Sequence, residues 1–215
     1  MINASEKILS YFDKLEKELR VAYDIAENAR SKNLDPVNHV EILLAENMSE
    51  RVEGLISTVA PQIKGSGVSQ RLQELEEKYG AGNWKIGMII ALEVAQEKFC
   101  KFKDKKEAIE VGLRVGLAYL TNGVVASPLE GFTRLELKKR KDNNKEYFCL
   151  YYSGPIRSAG GTASAVSVII ADYVRKKLGY EEYDITDLEI KRTVIELRDY
   201  HERVTNLQYF PSEEE

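Results

Sequence analysis

The sequence is poor in the residues that staple or metallate small proteins. Of its 215 residues two are cysteine, Cys100 and Cys149, and two are histidine. Neither cysteine belongs to a Cys-x-x-Cys pair, which excludes a disulfide framework and a self-contained zinc ribbon and points to a reduced compartment. Long hydrophobic runs are missing as well. The longest, Met88 to Leu92, is far below the ~20 residues of a membrane span, and the N-terminus has no basic-then-apolar signal pattern. The expected location is therefore cytoplasmic, with no membrane partner. No sign of charge is in large excess: 31 basic against 35 acidic side chains give a net charge of −4, so no global positive field recruits nucleic acid. An Asp-x-Asp pair of the sort that holds catalytic magnesium and a Gly-x-Ser-x-Gly elbow are both lacking.

What is present is ordinary globular composition, 43% hydrophobic and 31% charged, at a length fitting one domain or two small ones. Residues 1–36 read as an amphipathic helix, with Ile8, Phe12, Leu15, Leu19, Ala22 and Ala26 at three- and four-residue spacing, Asn3 and Glu6 as a capping box, and Asp35-Pro36 as its stop. The pattern weakens over 37–67, where Pro61, Gly65 and Gly67 predict a loop-rich linker. Residues 68–122 read as three helices, about 68–79, 84–99 and 105–120. The second is apolar almost all round. The third carries Gly112 and Gly116 four apart, which either admit a close neighbour or are merely tolerated.

After Asn122-Gly123 the period changes to alternation. Phe132, Leu135 and Leu137, the turn residues Asp142-Asn143-Asn144, and the aromatic run Tyr147 to Tyr152 predict a β-hairpin with a basic tip. An apolar helix over 163–178 then ends at Gly179 with Arg175, Lys176 and Lys177 in its last turn. A final helix starts at Thr186, whose partner Glu189 completes a capping box, and presents Ile190, Val194, Leu197, His201 and Val204 as its stripe. Residues 123–212 thus form a unit of hairpin, Gly-rich loop and two long helices, followed by the acidic tail 213–215. The fold class expected is α+β, mainly helical, with a β-hairpin or small sheet packed against long helices.

The strongest local signal for chemistry is Ser153-Gly-Pro-Ile-Arg-Ser-Ala-Gly-Gly-Thr162, a loop from a strand into a helix. Gly154, Gly160 and Gly161 permit positive φ and bare the amides, and a helix N-terminus favours an anion. Arg157 offers a planar fork, and Ser158 and Thr162 offer hydroxyls. The spacing matches neither a P-loop nor a dinucleotide fingerprint; the alternatives are a phosphate or interdomain contact and a tight structural turn. Lys138, Lys139, Arg140 and Lys141 are either a contact to a DNA backbone or a solvated turn. His201, beside Tyr200 on an apolar stripe, reads as a packed structural residue, with no second ligand at helical spacing to make a metal pair.

The run Tyr151-Tyr-Ser-Gly-Pro-Ile-Arg-Ser-Ala-Gly-Gly-Thr-Ala163, continued by Ala171-Asp-Tyr-Val-Arg-Lys-Lys-Leu-Gly179, closely resembles the N-terminal region of the large subunit of archaeal family D DNA polymerases. Leu120-Thr-Asn-Gly-Val124, Pro128-Leu-Glu-Gly131, Tyr200-His201 and Pro211-Ser212 continue the likeness in order, and Ile56 to Gly67 departs from it in length. The resemblance implies a replicative polymerase that extends a primer with a divalent metal, magnesium, and works with a small exonuclease subunit. It also implies that the family's catalytic aspartates and zinc-binding cysteines lie beyond residue 215. This chain is then expected to hold no catalytic residue, metal or cofactor, and to act as a scaffold whose partners are the rest of the large subunit, the small subunit and, through the full complex, primer-template DNA. A nucleic-acid-backbone or phosphate-binding module is the alternative, and a homodimer stays open.

Overall fold

A computed structural model describes residues 5–34, 45–154, 156, 161–204, 206 and 210. The chain divides into two compact units, Met1–Leu43 and Leu44–Glu215. The first contains α1, Glu6–Ser31, which begins after Ser5 and buries none of its residues. The predicted capping residue Asn3 lies outside the described residues.

In the second unit, helices α2 (Met48–Ser57), α3 (Val68–Tyr79), α4 (Trp84–Ala95) and α5 (Lys105–Leu120) precede strands β1 (Phe132–Lys139) and β2 (Glu146–Tyr152) and helices α6 (Gly161–Leu178) and α7 (Asp187–Arg203). This is the mainly helical α+β arrangement expected. The segment 37–67, expected to be loop-rich, instead holds α2 and a 3₁₀ turn, Pro61–Ile63. Asn47 caps α2 by accepting from the Glu50 N–H, and Val52, Ile56, Ala60 and Ile63 are all in the core. The helix is short, so its apolar positions are too few to establish a period against the flanking Pro and Gly.

Helices α4 and α5 form the spine. Their approach explains the paired glycines. A Cβ on Gly112 would stand 2.4 Å from the Ala91 carbonyl oxygen, and one on Gly116 2.5 Å from that of Gly87, so backbone packs directly on backbone and close approach, not tolerance, is why glycine is there. One core cluster, including Val52, Ile56, Leu72, Ile86 and Ile90, fills the space among α2, α3, α4 and α5. A second, including Ile109, Leu113, Leu117, Phe132, Leu135, Ile170 and Val174, joins α4 and α5 to the sheet and α6.

The sheet is the antiparallel pair β1–β2, in register Leu135↔Leu150, Leu137↔Phe148 and Lys139↔Glu146, with an irregularity between Phe132 and Arg134. Its inner residues Leu135, Leu137, Phe148 and Leu150 meet the second cluster. Arg114 fastens β1 to α5. Buried to 7% exposure, it donates from Nη1 to the Phe132 carbonyl at 2.7 Å and from Nη2 to the Thr133 carbonyl at 2.6 Å, and pairs with Glu110 at 2.9 Å. Helix α6 ends as its sequence predicts: Gly179 takes φ +78°, and the Tyr180 N–H donates to the Arg175 carbonyl.

Candidate functional site

The Gly-rich loop leaves β2 through an anchored start. The Ser153 N–H donates to the Gly131 carbonyl at 2.9 Å and its hydroxyl to the Glu130 carbonyl, while Ile156 is buried at 4% exposure with its Cβ 3.0 Å from where a Gly131 Cβ would stand. Residues 126–131 form a single π-helical turn that supports this start of the loop. Arg157, Ser158 and Gly160 lie outside the described residues.

Gly161 opens α6, and Thr162 follows in its first turn, where backbone N–H groups have no helical acceptor. Positive φ is not what Gly161 supplies. Neither it nor Gly154 is in the left-handed region, and a Cβ on either meets nothing within 4 Å. The freedom that glycine permits at 161 is thus not used for positive φ, and as the first residue of a helix it has room for a Cβ. Thr162, Ala163 and Val166 face Leu120, Val124 and Ser127 across a small cavity of about 240 Å³. The Ser127 hydroxyl, fully buried, has no hydrogen-bond partner among the described residues, a feature that no sequence signal marked.

The basic hairpin tip is largely neutralised by its own neighbours. Arg140 forks onto Asp142, at 2.8 and 2.6 Å, and donates to the Glu182 carbonyl. Lys138 sits 3.8 Å from Glu136 and over the Tyr151 ring, whose hydroxyl contact drives the lysine up to about 12. The Lys141 N–H donates to Asp184, and Lys145 pairs with Glu181 at 2.6 Å. Lys139 faces a cleft of about 780 Å³ at the tip, where Lys105 and Lys145 are set against Glu97, Glu146 and Glu181. This is not an anion sink. Lys138 and Lys139 end strand β1 and Arg140 and Lys141 begin the turn, and Glu181, Glu182 and Asp184 return to this hairpin end from far along the chain.

The capping box of α7 is complete. The Thr186 hydroxyl accepts from the Glu189 N–H, while the Glu189 carboxylate accepts from the Thr186 N–H at 2.9 Å. The Tyr183 hydroxyl donates to the same carboxylate at 2.6 Å. Together, the Tyr183 bond first, they hold Glu189 down to about 2 and push Tyr183 up to about 12. His201 is half-buried and stacks on Phe210 with ring centroids 5.0 Å apart. Its helix buries no residue, and Tyr200 is 39% exposed. No described group of three or more His, Cys, Asp or Glu side chains has the arrangement to hold a metal ion. No described helix is long and apolar enough to cross a membrane.

Comparison with known proteins adds the family. Residues 10–215 match the family model described as DNA polymerase II large subunit DP2, N-terminal. The DNA polymerase II large subunit of Nanoarchaeum equitans is 49% identical over 205 residues, 95% of this chain and 16% of the relative. That of Methanococcoides burtonii is 44% identical over 214 residues, all of this chain and 18% of the relative, and that of Pyrococcus furiosus 41% over 211 residues, 98% and 16%. This chain therefore spans about a sixth of the length of these relatives. With nearly every residue included in the match, the chain belongs to the family formed by the N-terminal region of the DNA polymerase II large subunit.

Proposed function

We propose that this chain is a non-catalytic assembly domain, which holds the rest of a polymerase large subunit in place during DNA-templated DNA synthesis. The observation that carries this reading is α7. It is 17 residues long, securely capped, and buries none of them. Leu188, Ile195 and Val204 are 78%, 61% and 68% exposed. A lone helix of this length is marginal in water, and helices in proteins owe most of their stability to a packed apolar face. An amphipathic helix made to last and left bare is best explained by a protein partner. The partner proposed is the remainder of the large subunit.

On this reading the metal-dependent chemistry belongs to that remainder. The small exonuclease subunit and primer-template DNA meet this chain only through the complex. The test is co-sedimentation of the chain with the remainder of the large subunit. A one-to-one complex that Leu188→Asp with Ile195→Asp disrupts is expected. No complex, or one indifferent to the double substitution, would overturn the role given to α7.

A further inference from the structure

The basic end of the hairpin has no task in docking so far, yet it holds the base of α7. The chain leaves α6 at Gly179, where Arg175 guides its first step by donating to the Tyr180 carbonyl at 2.8 Å and pairing with Glu182 at 3.0 Å. Residues 181–184 then run along the hairpin end. Glu181 forms a parallel bridge with Tyr147, and its N–H donates to the Glu146 carbonyl at 3.0 Å. Its carboxylate pairs with Lys145 at 2.6 Å. The Glu182 carbonyl accepts from Arg140, which Asp142 holds in place, and Asp184 accepts from the Lys141 N–H at 2.9 Å.

Tyr183 carries the connection into α7. Its ring lies against that of Tyr147, with centroids 5.2 Å apart, and its hydroxyl donates to Glu189, the residue that also closes the capping box with Thr186. One side chain thus touches both the hairpin and the first turn of α7. The helix buries none of its 17 residues, so it has no packed face of its own to orient it. Its direction is decided at its base.

We propose that the hairpin end and residues 180–186 form a clasp that aims α7 at the remainder of the large subunit, with Arg140, Lys145 and Tyr183 as positioning residues for that docking. The clasp rests on the assembly reading of α7 and adds to it that residues away from the docking face set the strength of docking. The physical reason is preorganisation. A docking helix that swings freely spends only a fraction of its time in the binding direction, and its apparent affinity falls by that fraction. No single link is enough, since an exposed ion pair contributes little by itself. Here two backbone N–H bonds, the Arg140 and Lys145 contacts and the ring pair act on the same short segment. The basic residues of the hairpin end then serve a protein contact, with no nucleic acid required.

Two measurements on one set of variants test the clasp. Arg140→Ala, Lys145→Ala and Tyr183→Ala together remove three of its links while Thr186, Glu189 and the exposed face of α7 are kept. Backbone ¹⁵N relaxation is expected to show α7 moving with α4 and α5 in the parent chain and, in the triple variant, order parameters along α7 that drop to about 0.6 or below at unchanged helical ellipticity. Affinity for the remainder of the large subunit should fall about 10-fold, as for a helix aimed correctly about a tenth of the time. Arg140→Lys with Lys145→Arg, which keeps both charges beside their acceptors, should retain the order and the affinity of the parent. Equal order along α7 in the parent and the triple variant overturns the clasp. A loosened α7 that binds as tightly as the parent overturns its part in docking and leaves the assembly reading standing. A parent chain without affinity for the remainder overturns both.

Discussion

Replacing Arg114 by alanine strands the Glu110 carboxylate and leaves the Phe132 and Thr133 carbonyls without their donor. Breaking one side of a buried pair costs about 3–5 kcal/mol, and chemical denaturation should show a loss of that size, with the hairpin freed first. The sequence marked neither residue. Glu110 and Arg114 are four apart on a helix, a spacing that usually means an exposed pair; only Gly112 and Gly116 between and beside them indicated a crowded surface. Glycine itself was read well at one place and poorly at another. Gly112→Ala drives a methyl into the Ala91 carbonyl, at 2.4 Å, and should lower stability by about 1–3 kcal/mol. Gly161→Ala meets open space at a helix start and should leave stability unchanged or raise it by up to about 1 kcal/mol. A thermal melt of the two variants side by side tests both statements.

Among the elements, those with a repeating pattern and punctuated ends were legible: α3 to α7, the hairpin with its Asp142-Asn143-Asn144 turn, and the Gly179 stop. Helix α2 was not, because ten residues between Asn and Pro show too little period. The extent to which α7 stands bare was also hidden, since an apolar stripe reports what a helix is able to bury and not what is there to cover it. The cap of α7 makes a pH prediction. Glu189 is held at about 2 against a usual 4.5; a carboxylate lowered in the folded state contributes above its usual value and loses that contribution as pH falls. The start of α7 should therefore loosen between about pH 4.5 and 2, seen as falling helical ellipticity and faster exchange of the Glu189 amide. Glu189→Gln should remove the pH dependence at this helix end while keeping the remainder of the helix intact.

For the molecule as a whole, family membership was legible from the Gly-rich loop and the stretches that continue the likeness before and after it, yet the loop's own role was not. The residues that carried the likeness, around Arg157, say which family the chain belongs to. The surface that suits it to a partner, bare α7, appears only when distant segments are placed beside one another. The same placement decides the basic tip. With Arg140, Lys138 and Lys145 already paired, the isolated chain should bind DNA more weakly than about micromolar at physiological salt, and Lys139→Glu with Lys141→Glu should leave the salt slope unchanged; a DNA contact of about three phosphates would instead give a slope of about −2 to −3 that the double reversal flattens. The most direct test of the assembly role is primer extension with magnesium, comparing the chain alone, the remainder of the large subunit with the small subunit, and all three together. The account predicts no synthesis by the chain alone and synthesis that rises when it joins the others. Extension by the purified chain alone, or activity of the others indifferent to its presence, would contradict it.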